Sequence, residues 1–125
     1  MKVRLGKFVV IFAVLITSTG CVQEVKKEPL FIWGDYQYTS TDYGKHNEDL
    51  EVVEKHTQEL EKIINESKAG DRKVAPGIYA EYAELLYKDG KKSEAKRFFL
   101  LEKNPYPESS KFMNQVVYKL YGDVK

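Results

Sequence analysis

The chain reads as an all-α domain of antiparallel helical hairpins with a closing helix, and three stretches predict it. From Pro76 to Pro107, apolar residues recur at three- and four-residue steps on both sides of Gly90: Tyr79, Tyr82, Ala83, Leu85 and Leu86 before it, then Ala95, Phe98 and Phe99 after it. An earlier stretch has the same spacing in Leu50, Val53, Thr57, Leu60, Ile63 and Ile64, and a later one in Phe112, Met113, Val116, Val117 and Leu120. Each stretch puts an apolar stripe on one face of a helix, and amphipathic helices joined by short turns bury such stripes against each other.

Taken in order, the chain opens with a segment that reads as a processing signal over residues 1–20. Lys2, Arg4 and Lys7 form a basic start, Phe8 to Ile16 is unbroken apolar, and Thr17-Ser18-Thr19-Gly20 leads into Cys21. The apolar run is shorter than the about 20 residues that a permanent membrane helix needs. Glycine directly before the only cysteine resembles the lipobox of bacterial lipoproteins, although the position three before the cysteine, usually Leu, is Ser18. The resemblance implies that Cys21 is lipidated and becomes the new N-terminus. With two or more acyl chains it would hold its membrane stably. Val22, standing where Asp would signal inner-membrane retention, implies the outer membrane and a periplasm-facing domain. No cofactor is expected beyond this covalent lipid.

Removing the leader takes three of the 20 bases, leaving 17 against 19 acids and a net charge of −2. A near-neutral chain lacks the clustered basic face of a nucleic-acid binder. Residues 21–29, ending VQEVKKEP, read as the lipidated cysteine and a polar tether. The folded domain is expected over 30–125, opening with LFIWGDYQY. Trp33, the one tryptophan, is expected to plug one end of the core; an indole also suits a membrane interface.

Asp35 to Lys45 predicts a short, poor helix, weakened by Thr39-Ser40-Thr41. Asn47 is the expected N-cap of a helix running to about Lys68, with Glu48, Asp49 and Glu51 in its first turn. Pro76 can open the next helix and Gly90 close it, with Lys92 or Ser93 starting the helix after that. Tyr106-Pro107-Glu108-Ser109-Ser110 caps the last, to about Tyr121.

The hairpin resembles the tetratricopeptide repeat. Tyr79, Tyr82, Ala83, Leu86, Ala95, Phe99 and Pro107 fall on that repeat's positions, and Glu102 departs where a small residue is usual. The resemblance implies close approach of Ala83 and Ala95, with Lys96 on the solvated side, and a groove along Gly77, Ala80, Glu84, Tyr87 and Lys88. The arrangement as a whole, through AxYAxLxYxxGxxxEAxxFFxxEKxxYPES, resembles a family of small bacterial lipoproteins of unassigned function, often encoded beside lipoproteins similar to the curli secretion channel. That implies a membrane-anchored, non-catalytic subunit of an envelope assembly whose partners are other envelope proteins, other lipoproteins among them. The alternative is a binder of a small apolar or peptide ligand in the helical groove.

Catalytic and metal patterns are not found. His46 and His56 stand ten apart, outside any ligand motif, and both are expected to be solvated; no phosphate loop or nucleophile elbow stands out. The candidate partner-binding residues are Glu84, Tyr87, Lys88, Tyr36 and Tyr43, with Tyr38 beside them, since tyrosine suits interfaces. The same residues also suit the core or its boundary, the reading favoured over an interface.

Overall fold

The computed structural model describes residues 27–122. Among them lie five helices and no strand: α1 (Tyr36–His46), α2 (Leu50–Ala69), α3 (Ile78–Lys88), α4 (Lys92–Glu102) and α5 (Ser110–Tyr121), the last entered through a 3₁₀ turn, Pro107–Ser109. Consecutive helices pack on each other as two hairpins, α1 with α2 and α3 with α4, closed by α5. The all-α hairpin architecture predicted from periodicity is the one observed. The leader, Cys21 and Val22 lie outside the described residues.

The α3–α4 hairpin holds the densest part of the core. Ala83 and Ala95 are both 0% exposed, so their lack of side-chain bulk is what the shared interior uses. Phe98 fills the remaining space, meeting Tyr82 edge to face at 4.8 Å and Tyr79 at 6.0 Å. Gly90, at φ +82°, ends α3 with Lys91 N–H donating to Leu86 O (2.9 Å) and Gly90 N–H to Tyr87 O (3.1 Å). This pair of bonds is the Schellman arrangement, which needs a left-handed residue where glycine stands. α2 ends the same way, with Arg72 N–H to Ser67 O (2.8 Å) and Asp71 N–H to Lys68 O (3.2 Å). There the left-handed position falls on Asp71 at φ +51°, one residue after Gly70.

Pro76 does not occupy the first turn of α3. Gly77, at φ +88°, is the N-cap and has no side chain to serve as one. Glu102 takes over that task from the far end of α4: its Oε1 accepts from Gly77 N–H at 2.7 Å. The departure from the repeat pattern is therefore a helix cap supplied across the hairpin, buried to 3% exposure. Burial pushes the Glu102 carboxyl above the usual range, opposed by the backbone amides of Gly77, Ala80 and Tyr79, although Oε2 makes no full hydrogen bond.

Four local expectations are corrected. Asn47 is the C-cap of α1, because α1 runs on to His46; Asp49 caps α2 instead, its Oδ1 accepting from Glu51 N–H at 2.9 Å. Trp33 is no core plug: it is 44% exposed and meets Phe31 edge to face at 6.2 Å, while Phe31 packs against the core. On α5, Met113 and Val117 are buried, but Phe112 stays 64% exposed because α4 covers only one side of that helix. Lys96, expected in solvent, is half-buried with its Nζ 5.4 Å from the Tyr121 ring centre.

Candidate interaction surface

α1 is a weak helix by composition. The hydroxyls of Thr39, Ser40 and Thr41 bond back to carbonyls of their own helix, as with Thr41 to Gln37 O at 2.7 Å. What holds it is His56, which was expected in solvent and is 0% exposed. Its Nδ1 lies 2.9 Å from Thr39 Oγ1 on α1, and its Nε2 lies 2.9 Å from Glu81 Oε1 on α3, so one α2 side chain ties three helices together. Tyr36 completes the network by donating to Glu81 Oε2 at 2.8 Å. The rings of Tyr43 and Tyr36 flank the imidazole, with centroids 5.2 and 5.9 Å away.

The bond directions follow from chemistry. An ionised carboxylate only accepts, so Nε2 carries hydrogen toward Glu81. Nδ1 can take the Thr39 proton, or can donate while that hydroxyl turns to the carbonyls of Asp35 or Tyr36, each 3.3 Å away. Burial pushes Glu81 upward, but hydrogen bonds from His56 and Tyr36 outweigh it and hold the carboxyl below its ordinary value. Tyr36 is pushed up to about 12, by burial first and then by its bond to Glu81, so it stays a donor.

Thr39, His56 and Glu81 have the connectivity of a nucleophile, base and acid. Thr39 is only 3% exposed, however, and lines neither of the two hollows described here, so the arrangement works as a structural tie. Among the described residues, no three His, Cys, Asp or Glu side chains gather as metal ligands. None of the described helices is long and apolar enough to cross a membrane.

The tie positions one wall of a cleft of about 820 Å³ between the N-terminal half of α2 and the C-terminal half of α3. Its apolar and aromatic lining comes from Leu50 and Val53 on α2, Tyr82, Leu85 and Leu86 on α3, and Tyr43 on α1. Glu54, Glu61, Asp89, Lys88 and Lys91 add both signs of charge. Leu50, expected to face inward, is 83% exposed beside this opening. A second hollow of about 630 Å³ runs along Gln37, Tyr38, Thr41 and Lys45; it is shallower and belongs largely to one helix.

Of the residues singled out from sequence, Glu84, Lys88 and Tyr43 come together. Lys88 Nζ pairs with Glu84 Oε1 at 2.7 Å and donates to Tyr43 OH at 3.2 Å, contacts that hold its ammonium above the ordinary lysine value. Tyr36 joins them only through the His56 network. Tyr87 turns the other way, meeting Tyr121 of α5 edge to face at 5.7 Å. Tyr38 is 64% exposed, with Lys55 Nζ 4.7 Å from its ring centre. Gly77, Ala80, Glu84 and Tyr87 do not line the cleft, and of the expected groove only Lys88 does. The lining residues missed, Leu50, Val53 and Leu85, carried the same periodic signal as the core: Leu85 belongs to that core, while Leu50 and Val53 lie in the first turn of α2.

The described residues thus define an all-helical hairpin domain with one cleft walled by three helices. The chain belongs to the family of the domain of unknown function DUF4810, whose model matches residues 30–116. No curated protein and no solved structure matches it.

Proposed function

We propose that the chain is a lipid-anchored, non-catalytic interaction subunit of a bacterial envelope assembly, binding a partner protein through the cleft between α2 and α3. The observation that carries this reading is the cleft itself: an opening of about 820 Å³ with Leu50 left 83% exposed beside it. Apolar side chains rimmed by mixed charge suit the apolar face of a partner helix, which docks in such grooves. The lipobox-like start and the resemblance to small lipoproteins, some encoded beside curli-channel-like ones, support an envelope placement, with Val22 favouring the outer membrane.

The test is copurification from detergent-solubilised membranes, comparing the native chain with Leu50→Asp and Lys88→Glu. A stoichiometric protein that both variants lose, with circular dichroism unchanged, supports the reading. A monomer carrying a small molecule in its mass spectrum would support the second reading, a small apolar or peptide ligand, which the Val53, Leu85 and Leu86 lining favours. Cys21→Ala should release the chain from the membrane fraction and abolish fatty-acid labelling; persistent membrane binding after leader removal would sink the anchor.

A further inference from the structure

The segment before α1 is fixed to the domain in a way that leaves two large apolar side chains uncovered. Arg72, in the turn after α2, donates to Pro29 O at 3.2 Å and pairs with Glu28. Five residues further on, Gly34 adopts φ +45° against Glu59, where an added Cβ would collide with that carboxylate. Asp35 N–H then donates to Glu59 Oε1 at 2.7 Å. Between these two clamps Phe31 packs on the core, while Leu30 stays 75% and Trp33 44% exposed. This edge is held in place, since Trp33 also leans on Tyr36 with ring centres 5.6 Å apart.

We infer that Leu30 and Trp33 form a lipid-contacting edge that sets the orientation of the domain on its bilayer, an inference that rests on the anchor at Cys21 proposed above. Leu30 lies nine positions after Cys21. At 3.3 to 3.6 Å per residue this stretch spans at most about 30 Å, so this edge is the part of the fold tied most closely to the acyl chains. An indole with its ring partly exposed suits the headgroup level, where its apolar body and N–H are both accommodated. Leu30 and Trp33 contribute apolar burial, and Lys26 and Lys27 just before them suit anionic headgroups.

Trp33 is the only tryptophan in the sequence, so its fluorescence reports this edge alone. The test uses the full chain purified from membranes and reconstituted in phosphatidylcholine–phosphatidylglycerol vesicles, with plain or brominated acyl chains; the mass of the Cys21 peptide reports acylation in parallel. The expected result is an acylated chain whose emission is blue-shifted, and quenched in brominated vesicles. Leu30→Asp should weaken the quenching, and Phe112→Asp, at an exposed apolar site on α5, should not. An acylated chain with Trp33 unquenched by bromine but open to iodide overturns the edge and leaves the anchor standing. Protection from both quenchers means that protein covers Trp33, which also overturns it. Equal weakening by the Leu30 and Phe112 variants does the same. An unacylated Cys21 overturns the anchor, and the edge with it.

Discussion

His56→Leu isolates the interaction on which α1 depends. The change removes two hydrogen bonds from a side chain that is 0% exposed, while leaving an apolar group of similar size between the Tyr36 and Tyr43 rings. Thr39 keeps the carbonyls of Asp35 and Tyr36 as partners, so the loss concentrates on Glu81, left with Tyr36 alone. Breaking a fully buried pair costs about 3–5 kcal/mol, and the Glu81 side chain is still 28% exposed, so water recovers part of this. The expected destabilisation is about 2–3 kcal/mol, a large share of the roughly 5 kcal/mol available to a domain of this size. By contrast, Lys88→Ala breaks a Glu84 pair whose side chains are 57% and 59% exposed, and should cost under about 0.5 kcal/mol. Urea melts followed by circular dichroism measure both, and hydrogen exchange locates the loss, which should be greatest in α1. Adding Glu81→Leu to His56→Leu should recover part of the stability by removing the stranded carboxylate. A His56→Leu cost near that of Lys88→Ala, or unchanged exchange in α1, would refute the tie.

Two carboxylates should move stability in opposite directions with pH. Glu81, held below the ordinary 4.5, contributes stability that is lost as pH falls below that value through its folded pKa, and Glu81→Gln should abolish that acid-side loss in melts across pH. Glu102, raised above 4.5 by burial, contributes stability that is present below 4.5 and fades as pH rises through its folded pKa; Glu102→Gln should remove that slope. Ala95→Leu, at a position 0% exposed, should cost about 1–3 kcal/mol in thermal melts, against under about 0.5 for Glu94→Ala on the exposed face next to it. Asp71→Gly should raise stability by up to about 1 kcal/mol, because Asp71 alone among the described non-glycine residues has positive φ; an unchanged or lower melting temperature would count against strain there.

The α3–α4 hairpin was legible because its information is local: stripes on both helices and a glycine at the left-handed position between them. The placement of α1 as a helix was legible too, but its stability was not, since the partners of Thr39 and Tyr36 stand on other helices at His56 and Glu81. His56 was misread as solvated because it stands ten residues from His46 and outside any ligand motif. Its spacing was informative, however: Val53, His56, Leu60, Ile63 and Ser67 follow three- and four-residue steps, and the last four of these are buried. Periodicity misled in the other direction. Leu50 and Phe112 share their stripes with buried residues, yet Leu50 is the first residue of α2 and opens onto the cleft, and Phe112, beside buried Met113, lies on the side of α5 that α4 leaves uncovered. Of the candidate surface, Lys88 was singled out from the repeat register and Tyr43 from the suitability of tyrosine for interfaces. The cleft depends on how α2 and α3 diverge, which no single helix encodes.

The length of α2 separates the two surfaces proposed here. Its 20 residues rise about 30 Å, with Arg72 gripping Pro29 just beyond one end and Leu50 beside the cleft at the other. An anchor reached through Pro29 therefore leaves the cleft at the far end of the helix, and contact of Leu30 and Trp33 with lipid would set how α2 stands on the bilayer. α1, with 11 residues, is about half as long, with Tyr36 supporting Trp33 near one end and Tyr43 walling the cleft near the other. Both tyrosine rings lie against the single buried imidazole of His56. Loosening that imidazole should thus disturb the lipid-facing edge and the partner-facing cleft together, whereas Leu30→Asp or Leu50→Asp should each disturb only its own end.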